Sequence, residues 1–223
     1  MPRHLILLTG EFDASELINY FSRITPSCSV TWVRTADELA VAVAANSSGE
    51  TRLVSFCSGV IVSAAILGQL RCGGYNVHPG PPNYPGRHPE CWGVYHGATR
   101  FGATFHHMTP RVDEGVIVDT RGFDVPPESG QRQLAEAAFK AALELLLAWA
   151  ERIVRDDHRF PGNGEVWHGR KWRRADLVAI CRMPADIGPV EFERRRRAFA
   201  ELPNCSLTVT LHGRDFVYTV PPD

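Results

Sequence analysis

LILLTGEFDASELINYFSRITPSCSVTWVRTADELAVAVAANSSGETRLVSFCSGVIVSAAILGQL, residues 5–70, decides the fold class. Three apolar runs, Leu5–Thr9, Val30–Val33 and Leu53–Phe56, alternate with helical patterns over Ala14–Arg23, Asp37–Ala45 and Ser63–Leu70. Each run is apolar along its length, as a strand covered on both faces must be. Strands that alternate with helices pair in parallel through right-handed crossovers. The expected architecture is an α/β, Rossmann-like, mostly parallel sheet with helices on both faces.

Further along, Tyr75–His78 reads as a fourth strand that ends in HPGPPNYPGRHP, residues 78–89. The five prolines and two glycines of that stretch exclude a helix or a central strand there. Glu90–His96 suits a short helix, and Phe101–His107 and Val116–Thr120 suit two strands joined by the loop Met108–Gly115. Gln131–Ile153 carries Leu134, Ala138, Ala141, Leu145, Ala148 and Arg152 at helical spacing, an expected stripe against the sheet. Residues 156–165, DDHRFPGNGE, break that pattern. They mark an expected boundary between a main domain, 1–155, and a small C-terminal α+β appendage, 156–223. The appendage contains an aromatic and basic segment, Trp167–Trp172, and a charged helix over Val190–Ala200. It ends in a β-hairpin, Leu207–Leu211 and Phe216–Val220, turning at His212-Gly213. About 60 residues cannot enclose a second independent core, so the appendage is expected to pack on the main domain. The edge of the hairpin offers a surface on which a homodimer could pair.

The 223 residues carry a net charge of −1, with 44% hydrophobic and 22% charged residues, the profile of a folded globular chain. That balance supplies no basic field, so nucleic acid is not an expected partner. No apolar run reaches membrane-spanning length, and Leu5–Leu8 is too short for a signal peptide. Cysteines at 28, 57, 72, 91, 181 and 205 form no CxxC pair. They read as reduced thiols, with the cytoplasm as the expected compartment.

Open parallel sheets bind ligands beyond the carboxyl ends of their strands. Asn76 and His78 lie two apart on the fourth strand, so their side chains share a face. Asp113 sits in the loop between two later strands. An amide that donates to a developing oxyanion, an imidazole that moves protons near neutral pH and a carboxylate that orients the imidazole make a working group for acyl transfer. The spacing alone equally fits a strand-end Asn and His that satisfy backbone groups, with Asp113 in an ordinary turn. Gly59–Val62 is apolar with one glycine and suits either core packing or a slot for a flat ring. His106 and His107 are adjacent and point to opposite faces of a strand, so they do not form a metal pair, and no metal is expected. His88 and His96 read as surface residues. The Arg and Trp residues of 167–174 suit either a phosphate grip or a solvated edge. Arg194–Arg197, flanked by glutamates, suits a solvated helix face.

Residues 76–118 read NVHPGPPNYPGRHPECWGVYHGATRFGATFHHMTPRVDEGVIV. This stretch resembles the signature of the 10-formyltetrahydrofolate-dependent formyltransferases, which include glycinamide ribonucleotide transformylase, methionyl-tRNA formyltransferase and the sugar N-formyltransferases. The matching positions are Asn76, His78, Pro79, Trp92, Gly102, Thr104, Asp113 and Gly115, and the likeness in element order runs from about residue 1 to residue 150. The resemblance implies Asn76, His78 and Asp113 as catalytic residues. It also implies a pterin pocket on Gly59, Val60, Ile61 and Val62 and on Met108 to Asp113, including Val112. It implies 10-formyltetrahydrofolate as co-substrate and a small-molecule amine, on a sugar-nucleotide, an amino acid derivative or a similar compound, as acceptor. Hydrolysis of 10-formyltetrahydrofolate and a methionyl-tRNA formyltransferase-like activity stand as alternatives. After His-Pro the family often has Ser-Leu-Leu-Pro, whereas this chain has Gly80-Pro81-Pro82 and then Tyr84-Pro85-Gly86, so the acceptor side departs from the usual pattern. Tyr84, Arg87 and Trp92 either line that acceptor side or pin its loop.

Overall fold

In the computed structural model, which describes residues 1–46, 50–203 and 205–220 without the side chains of Phe12 and Asp13, the alternating runs form a six-stranded sheet. Its strands are β1 (His4–Leu8), β2 (Ser29–Val33), β3 (Thr51–Phe56), β4 (Gly74–His78), β5 (Arg100–His107) and β6 (Ile117–Asp124). Their order is β2-β1-β3-β4-β5-β6. The first four are parallel, and β5 and β6 add on antiparallel. Every residue of β1 and β3 is buried, consistent with cover on both faces.

One face packs against α1 (Glu11–Ile24) and the long α5 (Gln131–Arg155), with Leu7, Val54, Tyr75 and Phe105 meeting Phe21, Leu145 and Ile153. The other face packs against α2 (Ala36–Ala45) and the segment around α3 (Ala64–Leu67) through Ile6, Leu8, Leu39, Leu53 and Val62. Thr35 closes α2 with a capping box to Glu38. The third helix is four residues long rather than the eight expected. Ser63 caps its start by accepting from the Ile66 amide, and Gly68 ends it.

On α5 the expected stripe is corrected in its second half. Leu134, Ala138, Ala141 and Leu145 are buried, but Ala148 and Arg152 are exposed, and Ala150, Ile153 and Val154 are buried instead. The helix passes from one core to another, so its buried face rotates. Leu134 and Ala138 belong to a core shared with the appendage, and the later residues belong to the sheet core.

The C-terminal region has α6 (Arg174–Cys181), β7 (Arg182–Met183), α7 (Pro189–Phe199), β8 (Thr208–Leu211) and β9 (Arg214–Val217). The expected hairpin is β8–β9, turning at His212 (φ 50°) and Gly213 (φ 74°), and β7 adds a parallel third strand. Leu177, Phe199 and Leu207 share a core with Trp92, Val94 and Phe101 of the main domain, so the appendage does pack on it. Residues 156–172 are no open linker. Phe160 lies in the sheet core against Tyr75, Phe105 and Trp149, and Trp172 stacks on Trp92 at 3.7 Å. Trp92 belongs to α4 (Pro89–His96). Cys28, Cys72, Cys91 and Cys181 are buried thiols. Among the described residues, no helix is long and apolar enough to cross a membrane.

Candidate active site

The strand order reverses direction between β1 and β3, and a cavity of about 730 Å³ opens beyond the carboxyl ends of β3 and β4. Ser55 and Cys57 from β3 and its exit, Asn76, Val77 and His78 from β4, and the segments 58–62 and 108–114 line it. Asn76, His78, Asp113, Gly59, Val60, Ile61, Val62, Met108 and Val112 therefore share one space.

Asn76 and His78 project from β4 to the same side, as their spacing requires. Antiparallel pairing sets His106 directly opposite Asn76 and Thr104 directly opposite His78. The Asn76 amide nitrogen lies 3.2 Å from His106 Nε2, and the buried Thr104 hydroxyl donates to the Gly80 carbonyl at 2.8 Å. His106 Nδ1 lies 2.9 Å from the His107 carbonyl, so it must carry a proton. In a neutral ring Nε2 then accepts one of the two Asn76 N–H bonds and the other remains for a ligand, whereas in a protonated ring Nε2 turns its N–H toward Asp113 Oδ1, 3.5 Å away. His78 Nε2 likewise carries its proton toward the Tyr84 carbonyl, at 3.1 Å.

Asp113 reaches this group from the loop after β5. It is 3% exposed and has a left-handed backbone, φ 49°. Its Oδ2 accepts from the Gly86 amide at 2.7 Å and lies 3.7 Å from His78 Nδ1, and its Oδ1 lies 3.5 Å from His106 Nε2. Burial alone would raise the carboxyl's pKa. The His78 imidazole, the His106 ring and the Gly86 amide outweigh burial and hold it well below the usual carboxylate range. Asp113 is therefore an anion near neutral pH.

That depression has a measurable consequence. A carboxyl with a lowered folded-state pKa stabilises the fold fully above its unfolded value of about 3.9, and the contribution is lost as pH falls through the folded value. Asp113→Asn is thus expected to be less stable near neutrality. It is also expected to show a flatter loss of stability below about pH 4 than the wild type. Denaturant unfolding at a series of pH values checks this; parallel curves for the two proteins would contradict it.

Trp167 packs against both histidines of the site. Its ring edge meets His106 at 4.9 Å and His78 at 5.8 Å, and its N–H donates to the Gly115 carbonyl at 2.8 Å. A Cβ on Gly115 would lie 1.7 Å from the His107 carbonyl oxygen, so the loop that delivers Asp113 can approach β5 only with glycine there. Of the five described non-glycine residues with positive φ, three line the cavity: Cys57, His88 and Asp113. Strained backbone concentrates where ligands are handled.

Reading the sequence does not single out His106 or Trp167. The alternation Gly102, Thr104, His106 along β5 marks one polar face and is the only signal for His106. Of the residues left undecided, Arg87 lines the cavity, whereas Tyr84 and Trp92 are buried in the loop's support. His96 is exposed. His88 is half-buried and pairs with Glu90, Nδ1 to Oε1 3.1 Å. These two residues and Cys91 hold potential metal-ligand atoms within 4.8 Å of one another. The Glu90 carboxylate is already satisfied there by His88, Cys91 and Gln131.

A family model described as formyl transferase matches residues 28–148. A methionyl-tRNA formyltransferase of Syntrophus aciditrophicus (strain SB) is 33% identical over 106 residues, covering 47% of this chain and 33% of that protein. The chain thus spans about a third of the length of the curated relatives it matches. A sugar N-formyltransferase from Shewanella sp FDAARGOS_354 superposes with a TM-score of 0.80 at 15% identity, over 100% of this chain and 99% of that one. The formyltransferase PseJ from Anoxybacillus kamchatkensis, in complex with UDP-4,6-dideoxy-4-formamido-L-AltNAc and tetrahydrofolate, superposes with a TM-score of 0.62 at 17% identity, over 78% and 87%. At these identities the two structures speak for the fold, while the matched model covers just over half the sequence and contains every member of the polar cluster from Asn76 to Asp113, so the chain belongs to the formyl transferase family.

Proposed function

We propose that the protein transfers a formyl group from 10-formyltetrahydrofolate to an amine of a small-molecule acceptor, with Asn76, His78 and Asp113 as the catalytic residues. The observation that carries this reading is the convergence of these three side chains on one cavity. Its size suits a bicyclic ring and its neighbour. The cavity also fits the pterin. Ile61 and Val112 stay 68% and 45% exposed at its rim, and the main chain of 59–62 and 108–113 offers polar groups beside them. Such exposed apolar side chains beside backbone donors and acceptors are what a flat, edge-polar ring needs.

The co-substrate supplies a formyl carbon already activated on nitrogen. The free Asn76 N–H donates to the carbonyl oxygen as it gains charge, a contribution on the order of 3 kcal/mol to lowering the barrier. The positive charge that develops on His78 beside the Asp113 anion, as the ring takes a proton, lies near the same oxygen and favours its negative charge. Nδ1 of His78 and Oδ2 of Asp113 are too far apart for a direct hydrogen bond at 3.7 Å. The gap suits an atom that bridges both, either a water or the attacking nitrogen. Through that bridge His78 Nδ1 takes the proton released by the amine as its nitrogen bonds to the formyl carbon, and the Asp113 anion stabilises the imidazolium so formed. A proton returns to the departing folate nitrogen as the old carbon–nitrogen bond breaks. His106 acts as a positioning residue, orienting the Asn76 amide and facing the second oxygen of Asp113.

The test is to mix the protein with 10-formyltetrahydrofolate and follow the folate absorbance with and without candidate amines. Turnover that depends on an amine supports transfer. Equal turnover without any amine would reassign the same residues to hydrolysis. Tight folate binding with no turnover under any condition would leave a binding protein.

A further inference from the structure

Helix α4 opens on three side chains that can each offer a donor atom to a metal. His88 is its N-cap, with a left-handed backbone at φ 53°, Pro89 is the first helical residue, and Glu90 and Cys91 follow. The turn folds these four consecutive residues so that the His88 ring, the Glu90 carboxylate and the Cys91 sulfur hold donor atoms within 4.8 Å of one another. His88 Nδ1 lies 3.1 Å from Glu90 Oε1, and Cys91 Sγ lies 3.5 Å from the same oxygen. A tetrahedral zinc bound at about 2.0–2.3 Å sets neighbouring N, O and S ligand atoms roughly 3.3–3.6 Å apart. Both separations from Oε1 thus lie close to the edges of such a site.

The surroundings favour the same exchange of protons for a cation. Cys91 is completely buried, and burial and the Glu90 carboxylate push its thiol far above the ordinary range, so without a cation it keeps its proton. A cation between the sulfur and the carboxylate reverses that balance, because a coordinating thiol is deprotonated outright. The start of a helix favours thiolate and carboxylate, since its first backbone N–H groups carry partial positive charge. Gln131, at the start of α5, donates to Glu90 Oε1 at 3.3 Å, an outer hydrogen bond of the kind that orients a metal-bound carboxylate. His88 and Glu90 also line the large cavity, so an entry path exists and a fourth coordination position would open toward it.

We propose that His88, Glu90 and Cys91 form a binding site for a zinc-type divalent cation, with its open position facing the cavity. Imidazole, thiolate and carboxylate together select zinc over magnesium or calcium, which take oxygen ligands. On binding, the Cys91 thiol releases its proton to solvent, and the His88 ring offers its Nδ1 lone pair with the proton carried on Nε2. The site uses none of the side chains assigned to formyl transfer, so it stands or falls apart from that reading. The experiment strips the full chain with a chelator, removes the chelator and titrates first with Co²⁺, a spectroscopic stand-in, and then with Zn²⁺. Co²⁺ is expected to give the absorption of a tetrahedral site with a thiolate-to-metal charge-transfer band. Zn²⁺ should displace it, and excess Mg²⁺ should not. Cys91→Ser should abolish the charge-transfer band, whereas Cys57→Ser, which alters an exposed thiol elsewhere on the cavity wall, should leave it. His88→Asn and Glu90→Gln should each weaken Co²⁺ binding about tenfold or more, and they decide the matter without touching the buried cysteine. Unfolding curves confirm that each variant is folded. A wild type without the charge-transfer band, a band retained in Cys91→Ser, or wild-type affinity in both His88→Asn and Glu90→Gln overturns the site.

Discussion

His78→Asn is expected to lower turnover of 10-formyltetrahydrofolate with its amine by roughly 10²–10⁴-fold, the range removed with a general acid–base group. The expectation follows from where the ring is held. The Tyr84 carbonyl keeps a proton on Nε2 at 3.1 Å, and Asp113 faces Nδ1, so the ring is oriented from both ends and charge-stabilised from one. Asn at 78 fills much of the same space but cannot cycle a proton near neutral pH. Tetrahydrofolate affinity should change little, because the apolar rim at Ile61 and Val112 is untouched. Asp113→Asn should lose activity as well, since it leaves the His78 ring without its anion in a buried setting. Single-turnover measurements on the two variants, with unfolding curves to confirm that each is folded, decide the matter. Near-normal rates in both would refute the assigned roles.

Arg52→Met is expected to cost about 3–5 kcal/mol of stability, because several buried carbonyls lose their donor at about 1–3 kcal/mol each. Arg52 is completely buried in β3 and has no carboxylate partner among the described residues. Its Nε donates to the Cys72 carbonyl at 3.0 Å, Nη1 to those of Arg152 and Ile153 at 3.1 and 2.6 Å, and Nη2 to that of His158 at 2.6 Å. The guanidinium lies 4.3 Å from the centre of the Phe160 ring. It thus caps the Ile153 carbonyl at the end of α5, where the helix dipole favours a cation, and ties His158 and Phe160 to a central strand. Burial pulls its pKa below the ordinary arginine value, with Tyr75 and Cys72 opposing that shift. Methionine would keep the volume and take this donor from the Cys72, Ile153 and His158 carbonyls, while the Arg152 carbonyl keeps the Asp156 amide. For a chain of this size the loss corresponds to a fall in Tm on the order of 10 °C. Arg52→Lys, which keeps the charge but not the planar fork, should fall between. An Arg52→Met protein as stable as the wild type would show that the carbonyls find other partners.

Some of this was legible in the residues. Asn76 and His78 could be placed together because a strand has period two, and that is local geometry. The slot at Gly59–Val62 and the delivery of Asp113 came through likeness of pattern, and the described coordinates bring both to the same cavity. His106 was not legible as a member of the site. Its place depends on which residue of β4 it faces, thirty positions back along the chain, and alternation within one strand says nothing about the register with its neighbour. The stripe on α5 erred for a related reason: periodicity assumes a single partner surface, and this helix serves two.

The sequence by itself determined the layering of the molecule. Fully apolar strands, alternating helices and a proline-rich strand exit leave few ways to bury their surface, and each of these is a short-range property of the chain. Tertiary structure alone decided which distant groups meet. It set Trp167 beneath the two histidines, Arg87 beside Arg173 across a one-residue bridge, and Arg52 beneath the end of α5. Those meetings depend on close packing between segments more than sixty residues apart, where one glycine or one carbonyl sets the approach, and no local pattern encodes that distance.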